Sequence, residues 1–429
     1  MEKILYPSRS RKQEAIKRPY KSGAELENTV REVFSAIERY GDKALLEYTL
    51  KFDKISPKAI EISRATMADG GRYLSEELKN AITAAASNIR KFHESQKEPP
   101  VIVETVKGVK CWREHRPIER VGIYVPGGSA PLFSTALMLG IPAKIAGCKE
   151  IILCTPPSDG EGIHPAILFA ANLVGIDRVF AVGGIQAIGA MTFGTETIHR
   201  VDKIFGPGNR YVTAAKQLAQ TVGNVAIDMP AGPSEVLVIA DETCNPVFVA
   251  ADLLSQAEHG ADSQVILLSD SEQVVDRVMA EIKIQLERLP RKDTALLSLE
   301  NARAIVLNSI DECVDLSNEY APEHLILACE NAAQITIKII NAGSVFIGHY
   351  SCESAGDYAS GTNHTLPTNG FAKSYSGVSL DSFIKKITFQ EISREGIANI
   401  GQVVEVMAAA EHLDAHKNAI SVRLKSLMS

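Results

Sequence analysis

The stretch "VGIYVPGG", Val121 to Gly128, decides the architecture. An apolar run of strand length breaks at Pro126 and two glycines, and the continuation to Met138 reads as helix. The pattern recurs in "EIILCTPP", "DRVFAVGG", "KIFGPGN" and "NVAIDMP", each ending in Pro or Gly before the next helical stretch. Such alternation predicts an α/β fold with a parallel sheet. A second series, "SEVLVIAD", "QVILLSD", "ARAIVLN", "HLILAC" and "GSVFIG", separated by amphipathic stretches such as Glu272 to Leu289, predicts a second unit of the same kind.

Upstream, "SGAE" (Ser22 to Glu25) reads as a capping box before a helix with Leu26, Val30, Val33, Phe34 and Ile37 on one stripe and Gly41 at its end. A second helix is expected from about Ser75 to Phe92. The polar leader reads as an arm. Beyond Val378 the chain turns helical, in a tail too small to stand alone. The expected division is an arm (1–21), a first, discontinuous α/β domain (22–120 and 235–378), a second α/β domain (121–234) and a C-terminal helical domain (379–429).

Hydrophobic residues at 45% and charged residues at 23% suit a soluble, multi-domain chain of 429 residues. The net charge of −7 and the lack of any Lys/Arg tract interleaved with aromatics argue against nucleic acid. Seven cysteines, odd in number and without CxxC, fit a reduced cytoplasm. No secretory h-region and no bilayer-length apolar run is seen, so neither export nor membrane insertion is expected.

Ligands of open α/β sheets bind beyond the carboxyl ends of strands, where these Gly/Pro corners fall. "YVPGGSAPLFSTALM", "VGGIQAIGAM" and "FGPGNRYV" each lead into a helix start suited to phosphate, though none is a GxGxxG with its acid or a GxxxxGK[ST]. His93, His115, His164 and His199 stand alone, as surface or capped core groups do. "LLSQAEHGADSQ" sets Gln256 and His259 on one face of a helix end, where spacing nominates His259 with Glu258 as zinc donors and passes over the glutamine. "ESAGDYASGTNHTLPT" carries Asp357 and His364 in a loop-rich segment. "AAAEHLDAHKN" offers Glu411, His412 and His416, with Asp414 expected as an N-cap that breaks the helix between the histidines. In "NEYAPEHLILAC", Glu323 and His324 stand side by side at the mouth of a strand; on extended chain they point to opposite sides and can serve two proton-handling tasks.

Taken in order, these segments together with "DMPAGPSEVLV" resemble the histidinol dehydrogenase family over nearly the whole chain. The resemblance implies two Rossmann-like domains in an intertwined homodimer with shared active sites, one Zn2+ per subunit, and NAD as oxidant. The reaction implied is the four-electron oxidation of L-histidinol to L-histidine through the aldehyde, consuming two NAD+ and one water, at the end of histidine biosynthesis. By matching positions, Gln256, His259, Asp357 and His416 would hold the metal, with Gln256 in place of Glu258 and His412 a decoy. Ser234, His324, His364 and Glu411 would contact substrate together with those ligands, and Tyr124, Gln186 and Asn209 would bind NAD. His324 would be the general base and Glu323 the group that activates water. The rival readings are a zinc-dependent hydrolase of a small amine substrate, a two-lobed binding protein, and thiol chemistry at Cys111 or Cys148.

Overall fold

Two six-stranded sheets carry the molecule in the computed structural model, which describes residues 1–18, 24–55, 57–127, 131–158 and 162–428. Along the chain come β1 (Glu2–Leu5), β2 (Glu61–Ile62), β3 (Val103–Val106), β4 (Val109–Pro117), β5 (Arg120–Tyr124), β6 (Glu150–Thr155), β7 (Arg178–Ala181), β8 (Lys203–Phe205) and β9 (Ala226–Ile227). Then follow β10 (Glu235–Ala240), β11 (Gln264–Ser269), β12 (Arg303–Val306), β13 (His324–Ala328), β14 (Ser344–Ile347) and β15 (Ile384–Ile392). The first sheet runs β2-β7-β6-β5-β8-β9, parallel except at its β2 edge. The second runs β1-β12-β11-β10-β13-β14 and is parallel throughout. Their central strands are buried on both faces, as sheets covered by crossover helices must be.

The helices bury the expected stripes but not against the expected partners. Helix Ala24–Asp53, kinked at Gly41, packs Val30, Val33, Phe34 and Ile37 among Phe180, Ile185 and Ile188. Helix Glu76–Glu94, capped by Ser75, lays Ile82, Ala85 and Ile89 against Leu137 and Leu139. Both helices therefore pack their apolar faces on the first sheet, while Asn88 of the second donates to the Ala359 carbonyl at 2.8 Å and touches the 235–378 unit: the crossover helices alone leave apolar strips on both faces of the sheet, and these two cover them. The capping box rests on Ser22, outside the described residues.

The leader is more than an arm. Glu2–Leu5 pairs in parallel with β12 from Arg303 to Val306, and Ala15 and Ile16 join the core beneath. Nor is the C-terminal region purely helical: β15 pairs antiparallel with β4 along its full length, with Phe389 stacked on Trp112 at 5.5 Å, before helices Arg394–Ala410 and Asp414–Lys425 begin. No described helix is long and apolar enough to cross a membrane.

The two sheets present opposite edges to a common cleft. Tyr124, Gly184 and Asn209 lie at or beyond the carboxyl ends of β5, β7 and β8, as expected, whereas Ser234 and Glu323 precede β10 and β13, and His324 opens β13. In the second unit the candidate chemistry thus sits at the amino edge, contrary to the carboxyl-end rule.

Candidate active site

Polar side chains from widely separated stretches of sequence meet in a recess of about 130 Å³. Gln256 ends helix Pro246–Ala257, whose Leu253, Leu254 and Ala257 fix it on the sheet; His259 follows in the turn. Glu353 and Asp357, four apart on helix Glu353–Tyr358, project together from the other side, and His364 closes the recess. Ligand atoms of His259, Glu353 and Asp357 lie within 4.8 Å of one another. Both amide atoms of Gln256, Nε2 of His324, Nε2 of His364 and Oε2 of Glu353 are buried without a hydrogen-bond partner. Each such group costs roughly 1–3 kcal/mol if left unpaired, so their convergence fits a site built for a cation and a polar ligand. The mixed nitrogen and oxygen donors suit zinc.

Gln256 lines the recess and Glu258 does not, so the spacing argument for Glu258 fails. Glu353 is the residue missed from the sequence; its i,i+4 relation to Asp357 was the available signal.

Glu323 and His324 do not serve opposite sides. Because Glu323 precedes the regular strand, its side chain folds back, placing Oε2 3.7 Å from Nδ1 of His324, and both line the recess. The backbone N–H of Glu235 donates to Oε2 of Glu323 at 2.8 Å, and its carbonyl lies 3.0 Å from Nδ1 of His324. A carbonyl can only accept, so Nδ1 carries a proton and Nε2, 3.6 Å from Asp357 Oδ1, faces the recess. Burial pushes the Glu323 and Glu353 carboxyls up to about 8. Burial alone would lower His324, but Glu323, Glu353 and Asp357 around it prevail and raise it to about 10. Burial opposes ionisation of Asp357 too, yet the hydrogen bond and charge of His324 bring it below the ordinary range. His364 is pushed down by burial, and so is His259, which by surface area still opens onto the cleft.

A larger hollow of about 700 Å³ opens beyond the first sheet. The Tyr124 hydroxyl accepts from Gly184 N at 3.1 Å, and Asn209 caps helix Arg210–Val222 by accepting from Tyr211 N and Val212 N. Gln186 is buried behind the wall, donating to Asp53 at 3.0 Å; Asp53, not Gln186, lines the hollow. At Gly206, φ is +125° and a Cβ would stand 2.1 Å from the Tyr124 carbonyl oxygen, so only glycine fits. A middle space of about 310 Å³ shares Pro126 and Asn209 with this hollow and Ser234, His259, Glu323 and His364 with the recess.

A sequence model of the family described as histidinol dehydrogenase matches residues 16–424. The chain belongs to the histidinol dehydrogenase family. It is 57% identical to the histidinol dehydrogenase of Bacteroides thetaiotaomicron over 427 residues, spanning 100% of both chains. Against that of Escherichia coli K12 it is 51% identical over 414 residues, covering 96% of this chain and 94% of the other. The crystal structure of histidinol dehydrogenase from Elizabethkingia anophelis superposes with a TM-score of 0.98 at 62% identity, covering 100% of this chain and 99% of that one.

Of the donor set that resemblance to histidinol dehydrogenases implies, Gln256, His259 and Asp357 meet in the recess; His416 does not line it, nor does Glu411. His416 is exposed on helix Asp414–Lys425, and Glu411 is exposed in the turn that follows helix Arg394–Ala410. The expected break between His412 and His416 is present, with His412 at φ +59°, but Leu413 holds the N-cap position and Asp414 is the first helical residue, so Asp414 does not cap. Burial pushes the Cys148 thiol up to about 12, and Cys111 lies on β4, outside the recess. His93 is a capped core group, its Nδ1 2.8 Å from the Ile89 carbonyl, while His164 caps helix Pro165–Val174.

Proposed function

We propose that this chain is a zinc- and NAD-dependent histidinol dehydrogenase that oxidises L-histidinol through L-histidinaldehyde to L-histidine, four electrons in two steps at one site. The observation that carries this reading is the recess itself: buried, unpartnered donors of Gln256, His324, Glu353 and His364 beside His259 and Asp357, opening through a middle space toward glycine corners suited to a dinucleotide.

Gln256, His259 and Asp357 would hold the zinc, which when bound supplies electrostatic orientation of an alcohol, amine or imidazole. NAD+ supplies the hydride acceptor at each step, with Tyr124, Asn209 and the Asp53–Gln186 pair shaping its hollow. Nδ1 of His324 is engaged with the Glu235 carbonyl, leaving Nε2 to take the hydroxyl proton. With Asp357 and its neighbours holding a divalent cation, the carboxylates that keep the His324 ring protonated would be neutralised, and His324 would stand as a neutral, accepting imidazole. Glu323, whose high pKa marks a carboxylate able to exchange protons near neutrality, takes a proton from the water that hydrates the aldehyde. His324 returns its first proton to the aldehyde oxygen as the hydrate forms, and so is free to accept a hydrate proton in the second oxidation. Ser234 and His364 line the substrate's space.

His416 and Glu411 would complete the site of a second copy. Their exposure supports this, as do Val403, Val406 and Met407, about 60% exposed along helix Arg394–Ala410, where a homodimer interface would cover them. The free state of all seven cysteines is in keeping with a cytoplasmic enzyme.

The test is direct. The purified protein, given L-histidinol and NAD+, should form two NADH per histidinol, lose this on chelation and regain it with zinc. A zinc hydrolase of small amines would form no NADH.

A further inference from the structure

We infer that Arg18 and Glu235 form a buried clasp that positions both Glu323 and His324, making the N-terminal segment part of the catalytic framework. The inference deepens the proposed function and rests on it for the roles of those two side chains.

Glu235 is 1% exposed and lines none of the three cavities, so it does not touch ligand. Its main chain holds the two reacting groups at once, N–H to Glu323 and C=O to His324. Whatever fixes Glu235 therefore fixes both. Its side chain is gripped by Arg18 through a two-pronged contact, Nη2 lying 2.7 Å from Oε2 and Nε meeting Oε1, and by Asn369 N at 2.9 Å. The guanidinium also stacks 3.8 Å above the Tyr320 ring and donates from Nη2 to the carbonyls of Tyr320 at 3.0 Å and Ala321 at 3.3 Å. Ala321 is in the left-handed region, φ +56°, two residues before Glu323. A single side chain thus ties down both segments that meet at the catalytic pair: the start of β10 and the strained corner entering β13. Only arginine offers a planar fork and a stacking face together; lysine offers neither.

An effect on stability alone is separable from positioning. Arg18→Gln leaves a buried carboxylate unpaired and lowers the melting temperature. Arg18→Gln/Glu235→Gln removes that charge while leaving the clasp broken. With zinc-loaded, folded protein as the denominator, both variants should lose roughly a hundredfold in kcat, the cost of small misplacements of reacting groups, with KM for L-histidinol and NAD+ within about twofold of the parent. Arg18→Lys should remain low in kcat. If the double variant regains both melting temperature and kcat, or if Arg18→Gln keeps full kcat per folded subunit, Arg18 is a structural anchor and the inference falls. Should Arg18→Gln fail to fold, the double variant decides alone. If the parent protein forms no NADH, the proposed function fails instead, and amide exchange across residues 234–236 of the double variant reads the clasp: faster exchange than in the parent upholds it, unchanged exchange overturns it.

Discussion

Asp357 Oδ1 stands 3.6 Å from Nε2 of His324, although 32 residues of loop, strand and helix lie between them. The contact joins a candidate metal ligand to the candidate base. Asp357→Asn keeps the shape but removes the charge; retained zinc after dialysis should fall, with affinity weakened by at least about tenfold and turnover by about a hundredfold or more. Elemental analysis alongside an NADH assay checks both, and full zinc retention would remove Asp357 from the metal set.

Glu323 and His324 are assigned different proton transfers, so their variants should differ in product. His324→Gln should lose about 10²–10⁴-fold in both oxidations. Glu323→Gln should still pass the first hydride and then stall, giving one NADH per histidinol and an aldehyde trappable by hydroxylamine. Two NADH from Glu323→Gln at the parent's rate would assign water activation elsewhere.

Subunit exchange tests the placement of His416. Glu323→Gln and His416→Ala homodimers should each form almost no L-histidine, whereas mixing and refolding them should return hybrids with one working site of two. No recovery, with hybrid formation verified by native mass spectrometry, would place His416 outside a shared site.

The leader's hold on the second sheet has a pH signature. Glu312 accepts from Lys12 and, at 2.8 Å, from Asn308 N and Nδ2, which together bring its carboxyl down to about 2. The folded value lies below the ordinary 4.5, so this stabilisation is present above about pH 4.5 and is lost as pH falls toward 2. The side chain is 27% exposed, and solvent screening limits the pair to about 1 kcal/mol. Urea midpoints of Glu312→Gln should fall short of the parent at pH 7, with the gap narrowing below about pH 4.5 and closing toward pH 2; a gap that stays constant with pH would contradict the assignment.

The sequence made the local rhythm plain and left the long-range pairing dark. Runs such as Ile151 to Cys154, bracketed by Pro and Gly, can be little other than buried strands, and Ser75 announces the helix it caps. The docking of helix Ala24–Asp53 on β7's sheet is decided by which apolar faces remain uncovered, a property of the assembled layers. Glu2–Leu5 is too short and polar to signal a strand without β12 beside it. Within the site, Gln256 was ambiguous because amides are weak zinc donors by type, and Glu353 hid among loop letters. Glu235 gave no signal, since it acts through its backbone.

The arrangement of three connected spaces bears on timing. In the two-step oxidation proposed above, spent coenzyme would be exchanged for fresh while a half-finished product waits. The outer hollow opens beyond Pro126 and Asn209, and the inner recess lies a chamber further in, past Ser234 and His259. Such an airlock would let the carrier come and go on one side while the reactive guest stays seated on the other.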